Sequence, residues 1–228
     1  MRKRLISLLL VFCMIFSLLP TSALAVETTQ QTTAEAGENP FKDIKESDWC
    51  YDAVQYARVN GFFNGTSPTA FSPDGTMTRG MFVTVLGRMA GVDPADYTGE
   101  TGFTDVPAGQ WYAPYIGTAS TYGVISGVGG GRFNPYGTIT RQEAASMVAR
   151  AARLCGMDTG LGEVEIRNTL AQFGDYMTVA AWAKESVAFC YRADILDQSD
   201  LEVAPAAAIR RGEIAQMLYN LLSSAKLL

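Results

Sequence analysis

Met77-Thr78-Arg79, Ile139-Thr140-Arg141 and Ile209-Arg210-Arg211 put an arginine at three matching places in the chain, each just ahead of an apolar run with helical spacing. An arginine in the first turn of a helix combines three features that favour anions. The first N–H groups have no intrahelical partner, the helix dipole has its positive end there, and the guanidinium is a planar donor fork that can grip a carboxylate with two bonds. The chemistry this pattern offers is recognition of an acid group, without making or breaking a bond. Thr140-x-x-Glu143 is also a capping box, in which the threonine oxygen accepts from the Glu143 N–H and the carboxylate reaches back to the Thr140 N–H. That explains the threonine and the glutamate but not the arginine between them, for which the competing reading is a solvated side chain on a helix end.

Other residue types narrow the chemistry. The chain has no histidine, which excludes Ser-His-Asp and Cys-His catalysis and every His-ligated metal. Cys50, Cys155 and Cys190 are too far apart for a zinc cluster or a disulfide framework and read as small buried apolar residues. No metal or cofactor site is expected. Gly127-Val128-Gly129-Gly130-Gly131 lacks the Gly-Lys-Ser/Thr ending of a phosphate loop. Its backbone N–H groups, with Gly127 here and Gly65 at the matching earlier place, are candidates to approach a ligand. Trp49, Trp111 and Trp182 are the only tryptophans and share one relative position. Large aromatics recurring in a small unit read first as core anchors, with stacking of Trp49 and Trp111 on a sugar face as the alternative.

The elements that must position these residues come in three copies. Phe41-Lys42-Asp43-Ile44 returns as Phe103-Thr104-Asp105-Val106 and as Phe173-Gly174-Asp175-Tyr176. Gly61-Phe62-Phe63-Asn64-Gly65 matches Gly123-Val124-Ile125-Ser126-Gly127, and Phe71-Ser72-Pro73 matches Phe133-Asn134-Pro135. Each copy reads as helix, loop, helix. Trp49, Ala53, Tyr56, Ala57 and Asn60 space a first helix that Gly61 stops, and Pro114 fits a first turn. Phe82, Val85, Leu86 and Met89 give a second helix its buried face, as do Ile214, Met217, Leu218 and Leu221 in the last copy. A unit of about sixty residues has little core of its own. The expected fold is therefore all-α, with at most short strands in the loops, and three segments, 41–102, 103–172 and a divergent 173–228, packed as one pseudo-threefold body.

The N-terminus sets the compartment. Arg2, Lys3 and Arg4 precede an apolar run from Leu5 to Leu19, and Ala23-Leu24-Ala25 follows. This is the layout of a secretory signal peptide, residues 1–25, cleaved after Ala25. The run falls short of the roughly 20 residues that span a bilayer, so no membrane attachment is expected after cleavage. Residues 26–40 read as a flexible polar linker. Cleavage removes three of the 18 basic side chains and none of the 23 acidic ones, leaving 15 against 23 and a net charge of −8. Such a surface repels nucleic acid at long range, and an acidic partner must be held by a few well-aimed cations.

The order Phe-x-Asp, Trp, Gly-x-x-x-Gly, Phe-x-Pro, Thr-Arg-x-Glu resembles the S-layer homology domain, over residues 41 to about 222. The resemblance implies a pseudo-threefold helical assembly that binds secondary cell-wall polysaccharide, often pyruvylated, in grooves between repeats, using the arginine of the Thr-Arg-Ala-Glu motif. Carried over, that arginine is Arg79, Arg141 and Arg211. The match is uneven. The first copy has Met81 where the glutamate belongs; the third has Arg210 for the threonine, Val203 for the phenylalanine and no glycine loop at 193–197. Arg141, in the complete box and beside the richest glycine loop, is expected to have the best-formed pocket, as an exposed residue contributing little to the fold, and Arg211 the poorest. The function implied is noncovalent attachment of a secreted, cell-surface protein to the wall, without catalysis. The alternatives are an adaptor joining the wall to a protein partner and, less favoured, a wall-active glycosidase.

Overall fold

In the computed structural model, residues 38–228 are described. The expected signal peptide, residues 1–25, and residues 26–37 of the expected linker lie outside them. Seven α-helices follow in order: α1 Tyr51–Val59, α2 Arg79–Met89, α3 Ala113–Thr121, α4 Arg141–Leu154, α5 Glu163–Leu170, α6 Lys184–Arg192 and α7 Arg211–Ser224. Among the described residues there is no strand, only isolated bridges, so the chain is all-α.

The local signals act where the residues put them. Gly61 has φ 72°, the left-handed conformation that ends α1 and that glycine adopts without steric cost. Pro114 lies in the first turn of α3, where a missing N–H costs nothing. Thr140 and Glu143 form the complete capping box at α4. At α2 only the threonine half exists, with Thr78 accepting from the Met81 N–H at 3.3 Å. At α7 only the carboxylate half exists, with the Arg210 N–H donating to Glu213 at 2.7 Å. An arginine side chain has no acceptor to offer in return. Helix α5 was not anticipated. Of its eight residues only Leu170 is fully buried, so it carries no apolar stripe to read.

Each second helix packs on the first helix of the following segment: α2 on α3, α4 on α6, and α7 back on α1. The order of contacts is circular. At the middle, the strips that lead into α2, α4 and α7 meet one another through bridges Thr78–Thr138, Thr140–Ala208 and Thr76–Arg210. Their apolar residues Met77, Ile139 and Ile209 are buried. The Ile139 N–H donates to the Met77 carbonyl at 3.1 Å, and the Ile209 N–H to the Ile139 carbonyl at 3.2 Å.

One carboxylate shapes the loop of each segment. Asp43 accepts from the N–H groups of Phe71 and Ser72 at 2.9 and 2.8 Å. Asp105 accepts from Phe133 and Asn134, both at 2.8 Å. Asp175 accepts from Val203 and Ala204 at 2.7 and 2.8 Å. The second residue of each pair, Ser72, Asn134 or Ala204, has positive φ, at 60°, 59° and 47°. That backbone is costly for a residue with a Cβ, and the paired N–H bonds to a charged acceptor offset it. The first residue of each pair, Phe71, Phe133 or Val203, is turned into the core.

Cys50 and Cys190 are buried as expected, and burial pushes both thiols up. Cys155, at the end of α4, is half-buried, and all three are free.

Two outcomes follow. A chain truncated after Gly156 leaves α4 without α6 and α1 without α7, and should lose its cooperative thermal transition; a melt as sharp as that of the full chain would mean independent segments. At Asp43 and Asp105, burial favours the neutral acid, but the N–H bonds outweigh it and hold both carboxyls below the ordinary 3.8. Their contribution is therefore complete above that value and lost as pH falls through the lower folded-state value. Asp105→Ala should cost about 1–3 kcal/mol at neutral pH, discounting charge-assisted bonds for partial exposure, and the gap from wild type should close in acid. A gap unchanged at low pH would assign the loss to something other than the charge.

Candidate functional site

The three arginines lie in the seams between segments. All are buried, with exposures of 3% for Arg79, 8% for Arg141 and 7% for Arg211. This corrects the expectation of exposed arginines that the fold does not need. The free helix N–H groups also find partners. The N–H groups of Arg79 and Gly80 donate to the carbonyls of Gly137 and Pro135, both at 2.9 Å. Those of Arg141 and Gln142 donate to Ala207 and Pro205 at 3.0 Å, and those of Arg211 and Gly212 to Gly75 and Pro73 at 2.8 Å. Each helix N-terminus is thus closed by carbonyls of the next segment and has no first-turn N–H pair left for a ligand.

The guanidinium groups reach across the same seams. Arg79 donates from Nε to the Phe133 carbonyl at 2.9 Å, from Nη2 to the Ser126 carbonyl at 3.3 Å, and from Nη1 to Glu143 at 2.6 Å. It also lies 4.6 Å from the centre of the Phe133 ring, within cation–π range. Burial pushes its pKa down while Glu143 pulls it back up. Arg211 repeats the pattern on the first segment. Its Nε and Nη2 donate to the carbonyls of Phe71 and Asn64, both at 2.8 Å, and the rings of Phe63 and Phe71 lie 4.6 and 4.7 Å away. Arg141 differs. It pairs with Glu213, but its buried Nε has no acceptor. An open depression of about 530 Å³ adjoins it, lined in part by Asp200 and Glu202. The pocket expected to be the best anion site thus has two carboxylates in its lining beside the one arginine.

The glycine loop changes place as well. Gly127–Gly131 follows Ser126, whose carbonyl binds Arg79, so the richest loop borders Arg79 rather than Arg141. Gly65 and Gly127 are themselves required by packing. A Cβ at Gly65 would lie 2.5 Å from the Phe41 ring and 2.6 Å from two backbone carbonyls; at Gly127 it would lie 2.5 Å from the Arg132 carbonyl. The tryptophans reverse the core reading. Trp49, Trp111 and Trp182 are 64%, 52% and 59% exposed. Among the described residues no group of three or more acidic or cysteine side chains is placed to hold a metal, and no helix is long and apolar enough to cross a membrane.

The sequence of these segments has counterparts among known proteins. The S-layer homology domain profile matches residues 40–80 and 102–145, which include both Thr-Arg pairs of the first two segments. The chain is 32% identical over 80% of its length to "Exoglucanase XynX" of Acetivibrio thermocellus. It is 32% identical over 81% of its length to "Amylopullulanase" of Thermoanaerobacterium thermosulfurigenes. It is 28% identical over 81% of its length to "S-layer protein sap" of Bacillus anthracis. The chain spans only 16%, 10% and 21% of the lengths of these three relatives.

The geometry makes the arginines part of the fold. Arg79→Ala would remove a cation–π contact and three hydrogen bonds and leave Glu143 without its partner. The expected cost is about 2–4 kcal/mol, somewhat under the usual cost of breaking a buried pair because Glu143 is 22% exposed. A thermal melt of the variant within a degree of wild type would show that the clamp is dispensable.

Proposed function

We propose that this protein attaches noncovalently to the bacterial cell wall by binding secondary cell-wall polysaccharide, an acidic polymer carrying pyruvyl groups, in the grooves between segments. On this reading residues 1–25 direct secretion, residues 173–228 are a third, divergent S-layer homology repeat, and the three repeats form a pseudo-threefold body. The protein is a binding module without catalysis. The observation that carries the reading is the coincidence of family match and groove. The matched stretches 40–80 and 102–145 contain Arg79, Arg141 and the loops that Arg79 and Arg211 grip. The likeness to a protein named for the S-layer supports it. So does the alignment of the same region within much longer, differently named enzymes, as expected of an attachment module shared by unlike cargoes.

The grooves have the materials for the task. The seams hold three buried guanidinium groups, of which Arg79 and Arg141 are paired with Glu143 and Glu213, and the exposed indoles, one per segment, supply flat apolar faces of the kind that stack on sugar rings. Several modest contacts on one rigid body bind a polymer through avidity.

Retention on purified cell walls that carry their native polymer tests the proposal. Wild type should sediment with the walls and be released by soluble polysaccharide. A Trp49→Ala/Trp111→Ala variant should bind more weakly at an unchanged melting temperature, since both side chains are more than half exposed. Wild-type protein that stays in the supernatant would overturn the reading.

A further inference from the structure

The stretch just before Phe71, Phe133 and Val203 differs in charge from segment to segment. Residues 61–70 carry no charged side chain, and residues 123–132 carry one, Arg132. Residues 193–202 carry Asp194, Asp197, Asp200 and Glu202 and no base. In the first two segments this stretch offers the carbonyl of Asn64 or Ser126 to a neighbouring arginine. In the third it brings acids to the seam that holds Arg141. Two of the four are engaged within the stretch. Asp194 accepts from the Gln198 amide at 2.9 Å, and Asp197 accepts from the Ser199 N–H and hydroxyl at 2.9 and 2.8 Å. Asp200 and Glu202 are exposed, and among the described residues no hydrogen bond or ion pair engages their carboxylates.

Both carboxylates line the depression of about 530 Å³ beside Arg141, together with Ser199, Leu201 and Ala204. Arg141 does not compensate them, because it is 8% exposed and its charge is already met by Glu213. Its Nε remains without an acceptor. An arginine can only donate, so the Arg141 side of the depression calls for an oxygen. The side of Asp200 and Glu202 calls for a cation. Among the described residues no third acid or cysteine joins these two to hold a metal ion. A lysine-like ammonium on an alkyl chain answers the carboxylates but brings no oxygen. A protonated amino sugar brings an ammonium and hydroxyl oxygens on one ring, with C–H faces that suit Leu201 and Ala204.

Resting on the wall-binding reading, we propose that the depression between the second and third segments binds an amino sugar of the wall polymer through its free ammonium group. The ammonium pairs with Asp200 and Glu202, and a ring hydroxyl accepts from Arg141. The same two carboxylates repel an acidic unit of the polymer at this seam. Acetylation of the amine removes its charge and its hold on the carboxylates. The third segment's divergence from the glycine loop is then a change of ligand chemistry, in which a neutral stretch becomes an acidic one that distinguishes free from acetylated amino sugars.

The test titrates glucosamine hydrochloride into the full chain at mildly acidic pH, where the amine is charged and the carboxylates are ionised. The NMR signals of the 199–202 amides and of the Arg141 Nε–H report the site. Wild type should show a saturable shift with glucosamine, weakened by added salt, and a much smaller one with N-acetylglucosamine or butylamine. Asp200→Asn/Glu202→Gln should weaken glucosamine binding about fivefold, the scale of an exposed ion pair. Its melting temperature should match wild type, since neither carboxylate is engaged within the fold. No saturable response, equal binding of glucosamine and N-acetylglucosamine, or equal binding by wild type and the double variant would overturn the proposal. Butylamine binding as well as glucosamine would assign the site to alkyl ammonium groups and overturn the amino-sugar assignment. Wall retention of the same proteins separates the two readings. Glucosamine binding without wall retention refutes attachment and leaves the ammonium site standing. Wall retention with no glucosamine response refutes the ammonium site and leaves attachment standing.

Discussion

A helix cannot satisfy its own first N–H groups, and α2, α4 and α7 all begin at buried arginines. Each takes its acceptors from the strip that precedes the second helix of the next segment, with carbonyls 2.8–3.0 Å from the first two N–H groups. Much else follows from this requirement. For its carbonyls to face a neighbour, the strip must leave the loop at a fixed angle. That angle is set by the left-handed residue at 72, 134 or 204, held there by the aspartate at 43, 105 or 175. The same turn directs the preceding Phe71, Phe133 or Val203 inward, so polar satisfaction and core packing are settled by one conformation. Because α7 returns to the strip of the first segment, no segment closes its own second helix.

Burying arginines in so small a body is tolerable where they arrive at carbonyls that already point at them, as Arg79 and Arg211 do. The strip that caps the helix follows the residue whose carbonyl takes Nε from Arg79 and Arg211, at Phe133 and Phe71. The loop before it supplies Ser126 and Asn64 for Nη2. The third segment lacks the glycine loop and has Val203 in place of the phenylalanine, and there the pattern fails: Arg141 Nε is buried without an acceptor. Desolvating a cation without its full set of partners is costly. The Glu213 carboxylate that meets Arg141 reduces the cost electrostatically without supplying the missing bond.

Much of the fold was legible because the signals are local. Gly61, Pro114, the Thr140–Glu143 box and the apolar faces of α2 and α7 act within a turn of where they stand. The tryptophans were misread for a reason that lies in register. Helix α1 begins at Tyr51, and its buried stripe is Cys50, Ala53, Val54 and Ala57, a clean i, i+3, i+4, i+7 pattern that starts one residue after Trp49. The residue after each tryptophan, Cys50, Tyr112 or Ala183, is the buried one, and the indole is left outside. A reading anchored on the largest side chain shifted the stripe by one. Helix α5 was missed because it shows the core almost nothing beyond Leu170.

The site was harder to read than the fold because a motif contiguous in sequence is divided in space. Thr140, Arg141 and Glu143 belong to one box, yet Arg141 points into the seam with the third segment while Glu143 turns to Arg79 in the seam with the first. The Gly127–Gly131 loop likewise follows the residue that binds Arg79. A groove is therefore composed of one copy's arginine together with the next copy's aspartate, loop and N3 side chain. Ranking copies by completeness of their own motif ranks the wrong objects. The copy with the full motif lends its carboxylate and its glycines to its neighbour. The first copy has Met81 at the position of Glu143 and Glu213, and Arg211 is held by carbonyls and aromatic rings where Arg79 and Arg141 also have an ion pair. In a circular arrangement the consequence of a change at one N3 position is felt one segment away, because the carboxylates of Glu143 and Glu213 serve the arginine of the preceding segment and not their own.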